Sequence, residues 1–97
     1  MYRLALFMKL IYIRNKSIYT KKINDKWYIL EKNKKTMREL NEVGVLIWEL
    51  LIKTRSLDML VTYVCKEYKV KPEVASTDIE KFISEYIKEG YIQTIKN

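Results

Sequence analysis

Histidine is absent from the 97 residues. No imidazole is available as a general base, as the partner of a nucleophilic Ser or Cys, or as a metal ligand. Cysteine occurs once, at Cys65, which excludes an internal disulfide and a CxxC zinc or redox site. With two glycines, Gly44 and Gly90, and one proline, Pro72, no glycine-rich loop can cradle phosphates. Catalysis would have to rest on carboxylates and lysines. Glu85 and Glu89 stand four apart on an expected solvent face, without the burial that a working acid–base pair needs. The composition therefore favours a binding module that needs no cofactor or metal.

Apolar residues are plentiful. Leu, Ile, Val and Phe account for 30 positions, enough for one packed domain of modest core. The net charge of +7 is unevenly placed. Residues 1–40 carry 11 Lys or Arg against 3 Asp or Glu, and residues 41–97 carry 8 against 9. The positive charge thus belongs to the first half.

Residues 4–13 are apolar but interrupted by Lys9, lack a small-residue cleavage site, and fall short of the ~20 residues that span a bilayer. Tyr2, Leu4, Leu6, Met8, Leu10 and Tyr12 repeat at period two, so residues 1–16 read as an extended arm or extra strand. An interfacial anchor, and a true start at Met8, are further readings of this segment. Residues 17–23 and 26–32 are rich in β-branched and aromatic side chains and flank Asn24-Asp25, a pair that tolerates positive φ in a tight hairpin. After a turn at Asn33-Lys34, residues 35–40 form a third strand.

Three helices follow. Asn41 caps the first, whose run 43–53 is apolar nearly all round, with Gly44 allowing close approach of a neighbouring backbone. Ser56 caps the second, which carries an apolar stripe through Leu57, Leu60, Val61, Val64, Cys65 and Tyr68. Pro72 suits the first turn of the third. Its stripe is Ala75, Ile79, Phe82, Ile83 and Tyr86, and Gly90 stands just past its end. Residues 91–95 are a short closing strand or a tail. The expected fold is α+β: a small three-stranded antiparallel sheet followed by three helices, in a winged helix-turn-helix-like outline. Trp48 and Cys65 read as core; Trp27 reads as core or sheet-face packing, with ligand stacking as the alternative.

The stretch from Leu40 to Ile92 resembles the PqqD-like fold, also called the RiPP recognition element, where RiPPs are ribosomally synthesised and post-translationally modified peptides. The resemblance rests on LNEVGVLIWELL at 40–51, SLDMLVTYVCKEYKV at 56–70 and ASTDIEKFISEYIKEGYI at 75–92. It implies a peptide-binding domain over residues 17–97. The leader segment of a precursor peptide adds as a strand to the edge of the third strand, in a cleft walled by the third helix. Carried over residue by residue, the edge is Lys35, Thr36, Met37, Arg38, Glu39 and Leu40. Val74, Asp78, Lys81, Phe82 and Glu85 lie on the helix beside it. Phe82 would line the cleft or pack in the core, and Asp78 would touch the ligand or bond a nearby backbone group. Arg38 and Lys35 would meet leader carboxylates, which fits an acidic leader. The further partner implied is a modifying enzyme: a radical maturase, or the cyclase or protease of a lasso-type pathway. The expected setting is the cytoplasm, where a lone thiol stays reduced. A homodimer by arm exchange is a further possibility.

The alternative reading is a winged-helix DNA-binding protein, invited by the basic composition. The charge map opposes it. Residues 72–89 carry Glu73, Asp78, Glu80, Glu85 and Glu89 against Lys81 and Lys88. An acidic helix is a poor element to place among phosphates.

Overall fold

The chain, seen in a computed structural model, is described for residues 10–32, 34–35 and 37–96. In chain order the elements are β1 (Leu10–Arg14), β2 (Ile18–Ile23), β3 (Lys26–Glu31), β4 (Met37–Leu40), α1 (Glu42–Leu50), β5 (Arg55–Ser56), α2 (Leu57–Tyr68), α3 (Pro72–Lys88) and β6 (Ile92–Lys96). The class is α+β, as the order of patterns predicts.

One antiparallel sheet has the order β2-β3-β4. Its hairpin turns at Asn24 and Asp25, both left-handed with φ of 51° and 66°, the conformation a two-residue turn between twisted strands demands. Strand β4 opens at Met37, so Lys35 lies outside the strand, and Thr36 lies outside the described residues.

A second antiparallel sheet, order β5-β1-β6, supplements the single sheet expected from sequence. Leu10–Arg14 forms its central strand, and residues 92–96 close it as a strand. The rest of the period-two run, Tyr2 to Met8, lies outside the described residues, as does Lys9. The two sheets are tied at the β1–β2 corner. Arg14 donates its amide to Leu51 O at 3.0 Å, and Asn15 donates to Tyr91 O at 2.8 Å. The Asn15 side chain donates to Gly90 O and accepts from the Ser17 amide.

The helices begin where their caps dictate. Asn41 Oδ1 accepts the Gly44 amide at 2.8 Å, and Ser56 Oγ accepts the Met59 amide at 3.3 Å. Pro72 opens α3, and Gly90, at φ 83°, follows it. Helix α1 stops at Leu50 although the apolar run continues to residue 53. Leu51 is fully buried as the helix ends, so burial outlasts helical backbone there. Helix α2 ends on a left-handed lysine, Lys69 at φ 52°, with no glycine to announce it. The core joins Ile18, Ile29 and Leu40 from the first sheet to Ile47, Trp48 and Leu51, Leu60 and Val64, Ala75, Ile79, Ile83 and Tyr86, and Ile92. Cys65 is half-buried against this core rather than within it. No described helix is long and apolar enough to cross a membrane.

Candidate functional site

Strand β4 is the outer strand of its sheet. Among the described residues it pairs with β3 alone, with Leu30 opposite Met37, Tyr28 opposite Glu39 and Trp27 opposite Leu40. The direction of each amide follows from the hairpin. Ile23 and Lys26 close the two-residue turn, so they form a hydrogen-bonded pair, and bonding alternates from there. Lys26, Tyr28 and Leu30 therefore bond to β2, while Trp27 and Ile29 bond to Leu40 and Arg38. The backbone groups of Met37 and Glu39 are left facing the open edge. Side chains alternate the other way across the sheet. Arg38 and Leu40 turn toward the helices, whereas Met37, about half exposed, and Glu39 lie on the outer face. Leu40 is buried in the core and acts through its backbone position.

Helix α3 runs beside this strand. Arg38 Nη2 donates to Glu85 Oε1 at 2.8 Å, joining strand to helix. Both side chains remain substantially exposed, so the pair adds little to stability, under about 1 kcal/mol. Its role is geometric. The Arg38 guanidinium also lies over the Tyr86 ring, 5.0 Å from its centroid. Phe82 stacks on that same ring: the Phe82 and Tyr86 centroids are 4.0 Å apart at 26°. Tyr86 in turn meets Trp48 and Tyr91 edge-on. Burial pushes the Tyr86 phenol up to about 12, against the opposing pull of Arg38.

A pocket of about 180 Å³ opens where α1 begins beside α3, lined by Asn41, Val43, Gly44, Ile47, Asp78 and Phe82. Gly44 forms part of its wall for a steric reason. A Cβ there would stand 3.3 Å from the Phe82 ring and 3.2 Å from both Leu40 Cδ2 and Asn41 Oδ1. The close approach is made by side chains, not by the neighbouring backbone that the sequence suggested.

The structure thus brings Arg38 and Glu85 together beside the Tyr86 ring on which Phe82 stacks, with Asp78 at the pocket, while Met37 and Glu39 contribute backbone at the open edge and point their side chains to the outer face. Val74 and Lys81 are exposed on α3. Asn41, Val43, Gly44 and Ile47 are the pocket residues that the sequence does not assign to the site. The signal was available in the glycine three residues after the cap, but only the fold places Phe82 against it.

Residues 26–92 match the family model for coenzyme PQQ synthesis protein D (PqqD). No curated protein matches the chain. Two solved structures share the fold. TbiB1, determined in complex with the TbiA(beta) leader peptide, is 22% identical, with a TM-score of 0.71 over 84% of this chain and 94% of its own. The PqqD truncation of Methylobacterium extorquens PqqCD is described as a functional, stand-alone RiPP recognition element. It is 10% identical, with a TM-score of 0.70 over 86% of this chain and 88% of its own.

Proposed function

The chain belongs to the PqqD family, and on that premise we propose that it binds the leader segment of a ribosomally made precursor peptide and delivers it to a modifying enzyme. The observation that carries this reading is the strand edge at β4, unpaired among the described residues and flanked by α3. The leader adds antiparallel to β4, bonding the backbone groups of Met37 and Glu39. One apolar leader side chain enters the pocket between Gly44 and Phe82. Arg38, Lys35 and Lys81 meet acidic leader residues. Asp78, Val74 and Glu85 shape the helix wall, and Thr36 continues the edge. A small strand-addition interface of this kind supports Kd values of ~10⁻⁶–10⁻⁸ M.

The domain contributes recognition rather than chemistry, acting in the cytoplasm where precursors are made. The modifying enzyme is a radical maturase, or a cyclase or protease. TbiB1, which shares the fold, was determined with a leader peptide bound. The test is fluorescence anisotropy against the leader of a precursor encoded beside the gene, and against random duplex DNA, at two salt concentrations. Leader binding that Met37→Pro weakens is the expected outcome. Tight duplex binding with a steep salt slope and no leader binding would overturn the reading.

A further inference from the structure

The sheet β2-β3-β4 has a second edge. Among the described residues β2 pairs with β3 alone. The alternation that turns Met37 and Glu39 outward on β4 turns Thr20 and Lys22 outward on β2. Two cavities flank this edge, of about 310 and 260 Å³, and Arg14 and Ile52 line both. Ile52 is 61% exposed, an apolar side chain left at the mouth. Trp27 and Trp48 add aromatic wall to the larger cavity. Trp48 is buried, and its indole N–H has no acceptor among the described residues.

The charge beside this edge is predominantly positive. Arg14, Lys16, Lys21 and Lys22 gather there, and the one carboxylate lining either cavity is Glu49. The Arg14 guanidinium is fixed by donating to Trp48 O at 3.2 Å and lying 5.4 Å from the centre of the Trp48 ring. Among the described residues no carboxylate pairs with it. Lysines often guard an edge strand against unwanted pairing. Guarding accounts for the charge, but not for an arginine held beside two cavities with an apolar rim.

We propose that the β2 edge is a second strand-addition site, and that its occupant is an acidic extended segment of the modifying enzyme. The inference rests on the adaptor reading for the identity of that partner. A second copy of β2 is disfavoured, because self-pairing gathers Lys21 and Lys22 of both copies on one short ribbon with no carboxylate on either strand. The leader occupies the opposite edge, so one sheet holds both guests at once, with the enzyme strand and the leader on its two flanks. Arg14 takes a carboxylate of the enzyme segment, and Ile52 and Trp27 cover its apolar side chains.

Amide hydrogen exchange read by NMR tests this on the whole chain. The probe is a short Val-Val-Glu-Glu repeat peptide, which presents both residue types on each face of the added strand, with a Val-Val-Lys-Lys repeat as control. The acidic probe is expected to protect the amides of Thr20 and Lys22, and the control to leave them unprotected. Lys22→Glu, an exposed change that leaves the core intact, weakens that protection about tenfold and leaves Met37 and Glu39 untouched. Protection confined to Met37 and Glu39, equal protection by the control, or none at either edge overturns the proposal. So does protection that appears without probe as protein concentration rises, which is self-pairing. Protection of Thr20 and Lys22 by the precursor peptide alone overturns the assignment to the enzyme. Loss of leader binding is read at Met37 and Glu39, so failure of the adaptor reading is a separate result.

Discussion

Gly44 sets the width of the pocket beside the edge strand. Replacing it with Ala gains about 1 kcal/mol of intrinsic helix propensity but places a methyl 3.3 Å from the Phe82 ring. Phe82 yields little, because it is stacked on Tyr86. Stability and binding should therefore separate. Gly44→Ala should shift the urea midpoint by less than about 1 kcal/mol equivalent, while leader affinity falls several-fold in an anisotropy titration. An unchanged affinity would remove the pocket from the binding surface. Tyr86 gives a different signature at the same scale. Its phenol holds its proton to about 12 in the fold, against 10.0 for the free group. The folded state thus binds the proton more tightly. The associated stability is whole below pH 10.0 and drains away as the pH climbs toward about 12. Burial raises the Tyr12 phenol too, so the loss has the same sign there. In Tyr86→Phe the alkaline fall in denaturation midpoint should be shallower than in the parent, with the curves diverging above pH 10.0. Parallel curves would contradict the assignment.

At the scale of elements, adjacent positions on β4 should behave in opposite ways. Met37 is the first residue of the strand, where proline is tolerated, and its amide faces the open edge. Met37→Pro should fold normally and bind leader about tenfold more weakly. Arg38 bonds to Ile29 across the ladder, so Arg38→Pro breaks an internal pair and costs about 1–3 kcal/mol of stability. Circular dichroism melts beside leader titrations separate the two. Equal destabilisation of both variants would show that the amide alternation is misplaced. The elements themselves were largely legible in the sequence, because each signal is local. Asn41, Ser56 and Pro72 start the helices, Gly90 ends the last, and Asn24-Asp25 turns the hairpin. Local signals fail where tertiary packing decides. The end of α1 was read too late because Leu51 stays buried after the helix stops. The Arg38–Glu85 pair was invisible as a pair, since 47 residues separate its members.

At the scale of the whole molecule, the second sheet was hidden for a related reason. The β propensity of Leu10–Arg14 marks a strand but does not name its partners, and those partners stand at residues 55–56 and 92–96. Distant parts of the chain meet at one corner, where Asn15 bonds Gly90 and Tyr91 while Arg14 bonds Leu51. Ile92, 2% exposed, carries β6 into the core shared with the sheet β2-β3-β4. The two sheets should thereby unfold as one cooperative unit. Ile92→Ala should cost about 2–5 kcal/mol and Asn15→Ala about 1–2 kcal/mol. Each should shift a single unfolding transition, with tryptophan fluorescence and far-ultraviolet dichroism coinciding and the denaturant slope unchanged. Leader affinity should stay at the parent value under native conditions, because neither side chain reaches β4 or the Gly44 pocket. Two separated transitions would instead make β5-β1-β6 an independent unit, and would detach β1 from the fold built on β2-β3-β4.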